Sequence, residues 1–243
     1  MAFAQSSRPI EGAVATLGVS DRVAFLRKTY AHLGVALIAF ALIAGGMMRF
    51  MPEVSLRFSI WAGRGWGLVL LIVGFLAAGY LAERMARSES SKAVQYLGLL
   101  IGVAAYGLLL QPMLWRLVAR FGGDGMFELI SQSTIVTLAI FIGLTVTVFV
   151  TKKDFSFLRG ALVVCTFAAL GVIFASMLFG FHLGAIFSGL VILLMAGYIL
   201  YQTSMIMSSF PPTAYVAAAL MLFSTVATLF IYVLRLLGAL RGD

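Results

Sequence analysis

Long apolar runs separated by short polar segments dominate this chain of 243 residues. Seven of the runs predict transmembrane α-helices, since about 20 apolar residues cross the hydrocarbon core of a bilayer. The predicted spans are Tyr30 to Arg49, Trp66 to Ala82, Ala93 to about Trp115, about Phe127 to Thr151, Gly160 to Gly180, Ala185 to Met207, and Tyr215 to Leu237. The pattern therefore predicts an all-α membrane protein, with a mobile polar tail over residues 1–28 and one transmembrane domain over residues 29–243.

Four short segments refine this pattern. The glycine-rich stretch 121–125 predicts a flexible loop between the third and fourth spans, and the two prolines at 211–212 predict a turn before the seventh. Segment 63–67 lacks the Lys-Ser/Thr ending of a phosphate loop and indicates an interfacial connector with a tryptophan anchor. The GxxxG pattern at 98–102 predicts that a neighbouring helix approaches closely there.

Composition agrees with a membrane protein, since 62% of the residues are hydrophobic, 11% are charged and the mean hydropathy is +1.07. Lys and Arg outnumber Asp and Glu by 17 to 9, but they lie in short clusters between the apolar runs. This arrangement favours contact with anionic lipid, so the lipid bilayer is the expected partner and nucleic acid is not. The one cysteine, Cys165, lies inside an apolar run and has no second cysteine to pair with.

The basic residues also predict an orientation. With seven spans and a cytoplasmic N-terminus, the cytoplasmic segments carry ten of the 17 Lys and Arg residues and the opposite side carries seven. The cytoplasmic ten are Arg8, Arg22, Arg27, Lys28, Arg84, Arg87, Lys92, Lys152, Lys153 and Arg159. Because cytoplasmic loops are enriched in basic residues, we expect the N-terminus inside and the C-terminus outside.

Polar side chains stand out in the last third of the chain, where no Asp, Glu, Lys or Arg occurs between Arg159 and Arg235. They gather at 201–204 on the sixth span, and on the seventh in Thr225 and its neighbours. Unpaired polar groups in hydrocarbon cost about 2–7 kcal/mol, so such groups face one another or a wet cavity. The sequence therefore predicts a functional site between the last two helices.

One face of the seventh span carries Thr225, Thr228, Tyr232 and Arg235 at helical spacings. These side chains would line a wet path through the bundle. Alternatively, the threonine hydroxyls bond the carbonyls of their own helix and have no further role.

The sequence contains no pattern typical of a metal site or of an intramembrane serine protease. The two histidines, His32 and His182, lie at the ends of different spans with no carboxylate spaced to join them. Ser188-Gly189 lacks the leading glycine of an intramembrane serine protease, and no histidine follows it. We expect neither an enzyme nor a bound metal or cofactor.

Five segments, spread from the first span to the last, together resemble the Bax inhibitor-1 family of seven-span membrane proteins. They are Phe25-Leu-Arg-Lys-Thr-Tyr30, Phe141-Ile-Gly-Leu-Thr145, Thr151-Lys-Lys-Asp-Phe-Ser-Phe-Leu158, Gly197-Tyr-Ile-Leu-Tyr201 and Leu229-Phe-Ile-Tyr-Val-Leu-Arg-Leu-Leu237. The resemblance implies that the seventh helix is central and wrapped by the other six. It also implies a pH-sensitive calcium leak, with Ca²⁺ as the transported ion, and suppression of cell death in eukaryotes. For a bacterial member it implies an inner-membrane location and interaction with a membrane-anchored ATP-dependent protease.

The sequence departs from the family at the gate that the resemblance implies. Members that leak calcium have an Asp on the sixth helix, after the Tyr that aligns with Tyr201, and another on the seventh, with a basic partner on the second. Here the acid positions hold Gln202 and Thr225, and Arg84 or Arg87 would be the basic partner. An amide and a hydroxyl do not titrate near neutral pH. They can form an interhelical hydrogen bond or a neutral constriction, and the arginines can be a solvated helix end.

Two functions remain open from the sequence. One is a passive cation path with altered or lost pH gating, and the other is a non-transporting modulator of an integral membrane partner. Asp154, at the end of the fourth span, is expected either to cap the fifth helix or to pair with a basic neighbour.

Overall fold

Helices make up nearly all of the computed structural model, which describes residues 18–88, 91–181 and 183–242 and contains no strand within these ranges. The helices are α1 (Val19–Phe50), α2 (Pro52–Ala62), α3 (Trp66–Ala86), α4 (Lys92–Thr151), α5 (Leu158–Phe179), α6 (Ala185–Ser209) and α7 (Tyr215–Gly242). Six of them are long and apolar enough to cross a membrane, and α2, with 11 residues, is not. The predicted all-α membrane architecture is confirmed.

Helix α1 begins at Val19, inside the segment 1–28 for which the sequence predicts a polar tail. Phe25 is only 2% exposed and extends the buried apolar stripe of α1 beyond the predicted start of the span. This burial is a tertiary contact, which the polar composition of the segment does not reveal. Residues 1–17 of the predicted tail lie outside the described residues.

Helix α4 is 60 residues long and contains a sharp break at Gly122, whose φ of 72° and ψ of 179° are not helical. Positive φ favours glycine, because a Cβ atom is disfavoured in that conformation. Helical residues continue on both sides of the break, over 92–121 and 123–151. The flexible loop predicted over 121–125 is therefore wrong, since one residue makes the turn.

The two halves of α4 run in opposite directions along the bundle. Tyr96, early in the first half, stacks on His32 of α1 with ring centroids 5.6 Å apart. Phe149, late in the second half, lies 6.0 Å from the ring of Tyr30, in the same part of α1. Since about 20 residues span a bilayer, α4 crosses twice, and the helices supply the seven predicted spans.

Helix α7 lies at the centre of the bundle. In its most apolar stretch 67% of the residues are buried, against 6–22% in the other five candidate spans. It packs against α1, α3, α4 and α6, while α5 packs on the outside of α6. Phe223 of α7 is fully buried between the rings of Phe40 on α1 and Tyr106 on α4. The central seventh helix that the family resemblance implies is confirmed.

The short helix α2, which the sequence did not predict, is held by a buried hydrogen-bond network. Ser55 donates to Oε1 of Gln111 on α4 over 2.6 Å and accepts from Nε1 of Trp115 over 2.8 Å. Gln111 in turn donates to the carbonyl of Ala44 on α1 over 3.0 Å. Because these partners are distant in sequence, the network gives no local signal.

The predicted close approach at the GxxxG pattern is confirmed. A Cβ atom added to Gly98 on α4 would lie 2.7 Å from the carbonyl oxygen of Ala82 on α3. One added to Gly102 would lie 2.6 Å from Leu220 on α7. The two glycines therefore let α4 pack tightly against both neighbours.

Candidate functional site

Gln202 on α6 and Thr225 on α7 meet in the centre of the bundle. The hydroxyl of Thr225 donates a 2.8 Å hydrogen bond to Oε1 of Gln202. The two residues are only 7% and 5% exposed. The structure thus joins the two positions through an interhelical hydrogen bond, one of the two arrangements expected from the sequence.

Apolar side chains seal this pair along both helices. Ile199 and Ile206 lie one helical turn before and after Gln202, and Leu222 and Leu229 flank Thr225 in the same way. All four are fully buried. A neutral hydrogen bond in such surroundings holds the two helices together, and neither side chain carries a charge that could respond to pH.

A second buried polar group was missed by the sequence analysis. The side-chain oxygens of Tyr30 on α1, Thr145 on α4 and Thr203 on α6 are buried close together, and both threonine hydroxyls interact with that of Tyr30 without ideal hydrogen-bond geometry. Tyr30 and Thr145 end two of the segments that carry the family resemblance, and this is the one sequence signal that could have identified them. A buried cluster of hydroxyls with imperfect hydrogen bonds is a place where a water molecule would be stabilised.

The polar face of α7 divides into two environments. Thr228, Tyr232 and Arg235 line a cavity of about 740 Å³ between α3, α4, α5 and α7, whereas Thr225 does not line it. The predicted continuous wet face from Thr225 to Arg235 is therefore interrupted. Tyr201, half-buried on α6, is not part of the cavity lining either.

Hydrogen bonds fix the polar residues of the cavity. The hydroxyl of Thr228 lies 3.0 Å from that of Tyr106 on α4 and donates to the carbonyl of Ser224 over 2.8 Å. Nη2 of Arg235 donates to the carbonyl of Leu183 over 2.8 Å. Thr228 thus bonds a carbonyl of its own helix, which is the alternative expected from the sequence. Its side chain also lines the cavity.

The two arginines considered as basic partners lie at the end of α3 and are exposed. Arg87 forms a 2.6 Å ion pair with Glu83, one turn earlier on the same helix. Neither Arg84 nor Arg87 has a described contact with Gln202 or Thr225. This placement favours the solvated helix end over the gate partner.

Of the two roles expected for Asp154, capping of α5 is wrong, since the residue before that helix is Phe157 and no side chain caps it. Instead its Oδ1 accepts from the backbone N–H of Ser156 over 2.8 Å, which closes a turn. Ser204 of α6 also donates to Oδ1, over 3.4 Å. Asp154 therefore orders the turn between α4 and α5 and ties it to α6.

Within residues 18–88, 91–181 and 183–242, no three His, Cys, Asp or Glu side chains gather closely enough to hold a metal ion. His32 lies on α1, where its Nδ1 is 2.7 Å from the carbonyl oxygen of Lys28. His182 falls outside the described residues.

The chain is similar to proteins from fungi, bacteria and viruses. A family model described as "Inhibitor of apoptosis-promoting Bax1" matches residues 22–242. Bax inhibitor 1 of Schizosaccharomyces pombe is 30% identical over 236 residues, which are 95% of this chain and 82% of that protein. An "Uncharacterized membrane protein" of Vibrio cholerae is 27% identical over 226 residues, 90% of each chain. The Golgi anti-apoptotic protein of vaccinia virus is 27% identical over 229 residues, 92% of this chain and 89% of that protein.

Proposed function

We propose that this chain, which belongs to the Bax inhibitor-1 family, does not conduct ions. In this proposal it acts by binding an integral membrane partner, and a membrane-anchored ATP-dependent protease of a bacterial inner membrane is the partner class. The observation that carries the proposal is the neutral, sealed pair of Gln202 and Thr225. Calcium sites in proteins are built around carboxylate oxygens, and this pair supplies no carboxylate.

The charge of the adjoining cavity supports the same function. Its lining includes Arg116, Arg120 and Arg235, and no Asp or Glu is among the described lining residues. Positive side chains in a space of low dielectric repel cations, as rings of Arg and Lys do in anion pores. The cavity is therefore a poor entrance for calcium.

The names of the relatives also favour a protein partner. Bax inhibitor 1 is named for inhibiting a protein, and the viral relative for opposing apoptosis. Direct contact is one way for a protein to inhibit another, and the outer surface of a helix bundle with a closed centre is available for such a contact. We extend this mode of action, rather than the particular target, to the present chain.

A calcium leak is the second candidate function. It is favoured by the location of the polar pair, which bridges α6 and α7 in the middle of an otherwise apolar core. Breaking one hydrogen bond of this kind costs about 0.6 kcal/mol on average, so this contact by itself adds little to the barrier for opening.

Calcium flux into liposomes separates the two candidates. Purified protein is reconstituted into vesicles that enclose a calcium dye, and flux is recorded at about pH 6 and about pH 8. We expect the flux to match that of protein-free vesicles at both pH values, because no Asp or Glu is among the buried polar residues of the described chain. Flux well above this background at either pH would reject the non-conducting proposal and select the calcium leak.

The partner is tested in a second reconstitution. A membrane-anchored ATP-dependent protease degrades a membrane substrate in vesicles with and without this protein. We expect the degradation rate to change severalfold, and a variant lacking residues 2–17 measures the share of the N-terminal segment. An unchanged rate with the full-length chain would rule out this partner class.

A further inference from the structure

The cavity between α3, α4, α5 and α7 has a basic region and long apolar walls. The basic region consists of Arg116, Arg120 and Arg235. The walls come mainly from α3 and α5, and include Leu71, Phe75, Leu76, Ile173 and Phe174. The volume of about 740 Å³ lies within the range of ~300–1,000 Å³ that holds one small organic ligand.

No carboxylate neutralises these three arginines among the described residues. Within residues 18–88, 91–181 and 183–242, each guanidinium donates to a backbone carbonyl: Arg116 to Pro112 over 3.2 Å, Arg120 to Gly242 over 2.7 Å, and Arg235 to Leu183 over 2.8 Å. A guanidinium has five N–H donors, so most donors of the cluster remain available. Arg116 and Arg235 are also close enough for their charges to repel each other.

Three other arginines do have acidic partners. Arg57 pairs with Glu53, Arg87 with Glu83, and Arg241 with Glu128 over 2.7 Å. The three cavity arginines have no such partner among the described residues, and they line one common space. A guanidinium that faces an apolar cavity is stabilised by a carboxylate or phosphate that accepts its hydrogen bonds, and an anion in the cavity would supply that partner.

The apolar walls determine what kind of anion fits. Along α7 the lining runs from Arg235 to Thr228 over roughly 10 Å at 1.5 Å per residue. That depth takes about half of an extended acyl chain, and the rest would lie between α3 and α5 toward the bilayer. Helices α3 and α5 form opposite walls, and the described residues show no extensive packing between them, so a chain can enter from the bilayer.

We propose that this cavity binds a long-chain fatty acid anion. The carboxylate accepts hydrogen bonds from Arg116, Arg120 and Arg235, in the geometry for which a guanidinium suits a carboxylate. The acyl chain lies between α3 and α5. A phospholipid is a poorer occupant, because its second chain would have to remain outside.

Binding of a fluorescent fatty acid tests this site. The full-length protein in phosphatidylcholine nanodiscs is titrated with cis-parinarate, and bound probe is displaced with palmitate or with the uncharged palmitoyl glycerol. We expect saturable binding that palmitate displaces and palmitoyl glycerol does not. The double variant Arg116→Gln, Arg235→Gln should bind at least about tenfold more weakly, since charge-assisted hydrogen bonds to the carboxylate are lost.

Two further variants keep the result independent of folding. Arg57→Gln removes an exposed charge outside the cavity and should leave the affinity unchanged. Ile173→Trp keeps all three arginines but fills the apolar wall, and should weaken binding while the thermal unfolding temperature in nanodiscs stays near that of the wild type.

Several outcomes would overturn the proposal. If palmitoyl glycerol displaced cis-parinarate as well as palmitate does, the carboxylate charge would have no role in binding. If Ile173→Trp bound cis-parinarate with wild-type affinity, the ligand would lie outside this cavity. Displacement by phosphatidylglycerol but not by palmitate would assign the site to a two-chain lipid. The assay contains neither calcium nor a protein partner, so its result is independent of the proposed function.

Discussion

At the scale of single residues, the contact between Gln202 and Thr225 joins the two helices without charge. The hydroxyl donates and the amide oxygen accepts over 2.8 Å, and both groups stay neutral across the physiological pH range. Two carboxylates at the same separation would repel each other and would share a proton. The chemistry of the centre therefore depends on these two positions.

The double substitution Gln202→Asp, Thr225→Asp should create a pH-dependent calcium flux. One apparent pKa of the acid pair would rise toward neutrality, because two close carboxylates cannot both ionise. Flux in liposomes should therefore increase with pH as the second proton leaves. Each single variant should show less flux, since a lone buried acid stays neutral. If the calcium flux of the double variant were as low as that of the wild type at every pH, a gate at these two positions would be ruled out.

Asp154→Ala should lower the stability of the protein without changing its calcium flux. The substitution removes the acceptor for the backbone N–H of Ser156 and for Ser204, at a cost of about 0.5–1.5 kcal/mol. Thermal unfolding in detergent measures this loss. Asp154→Asn is the matched control, since its side-chain oxygen can still accept the turn hydrogen bond. Unchanged stability with altered calcium flux would give Asp154 a functional role instead.

The sequence predicts some of these residues better than others. Gln202 and Thr225 interrupt a block without formal charge, so their pairing is a direct consequence of the cost of isolated polar groups in hydrocarbon. The buried hydroxyls of Tyr30, Thr145 and Thr203 come from three helices far apart in sequence. Because a threonine can also bond its own helix, no local pattern distinguishes them.

At the scale of helices, the close contact between α3 and α4 depends on a glycine, which has no Cβ atom. Gly98→Ala should destabilise the protein by about 1–3 kcal/mol, because the added Cβ would lie 2.7 Å from the carbonyl oxygen of Ala82. Thermal unfolding measures the change. Gly74→Ala on α3 is the control, since nothing lies within 4 Å of its added Cβ, and it should be neutral or stabilising. Equal effects of the two changes would contradict the close packing.

Elements with a local signal are predicted from sequence, and those held by distant contacts are not. The predicted turn at 211–212 is confirmed, since α6 ends at Ser209 and α7 begins at Tyr215. Helix α2 is short, carries two charged side chains and depends on Gln111 of α4, so its sequence resembles a connector. The cavity is likewise a product of assembly, because its walls come from helices that are separate in sequence.

At the scale of the whole molecule, the structure defines which helix ends share a side. Tyr30 and Phe149 are in contact, so the start of α1 and the end of α4 lie together. The cavity arginines Arg116 and Arg235 lie toward the other end. The excess of basic residues at the first end favours the cytoplasm for it.

Reporter fusions test this orientation. A reporter after Asp154 should be cytoplasmic, and one at the C-terminus should lie on the opposite side, because α5, α6 and α7 cross the membrane three times between them. Activity of a cytoplasmic reporter and of an exported reporter at both sites gives the sidedness. Two fusions on the same side would make one of these helices re-entrant.

The central place of α7 has a consequence for synthesis. A ribosome makes the chain from its N-terminus, so the helix that fills the middle of the bundle is translated after the six helices before it. Until α7 is made, the faces of α1, α4 and α6 that pack on it have no partner. These six helices therefore cannot complete their packing during their own synthesis, and their buried faces must be protected until α7 leaves the ribosome.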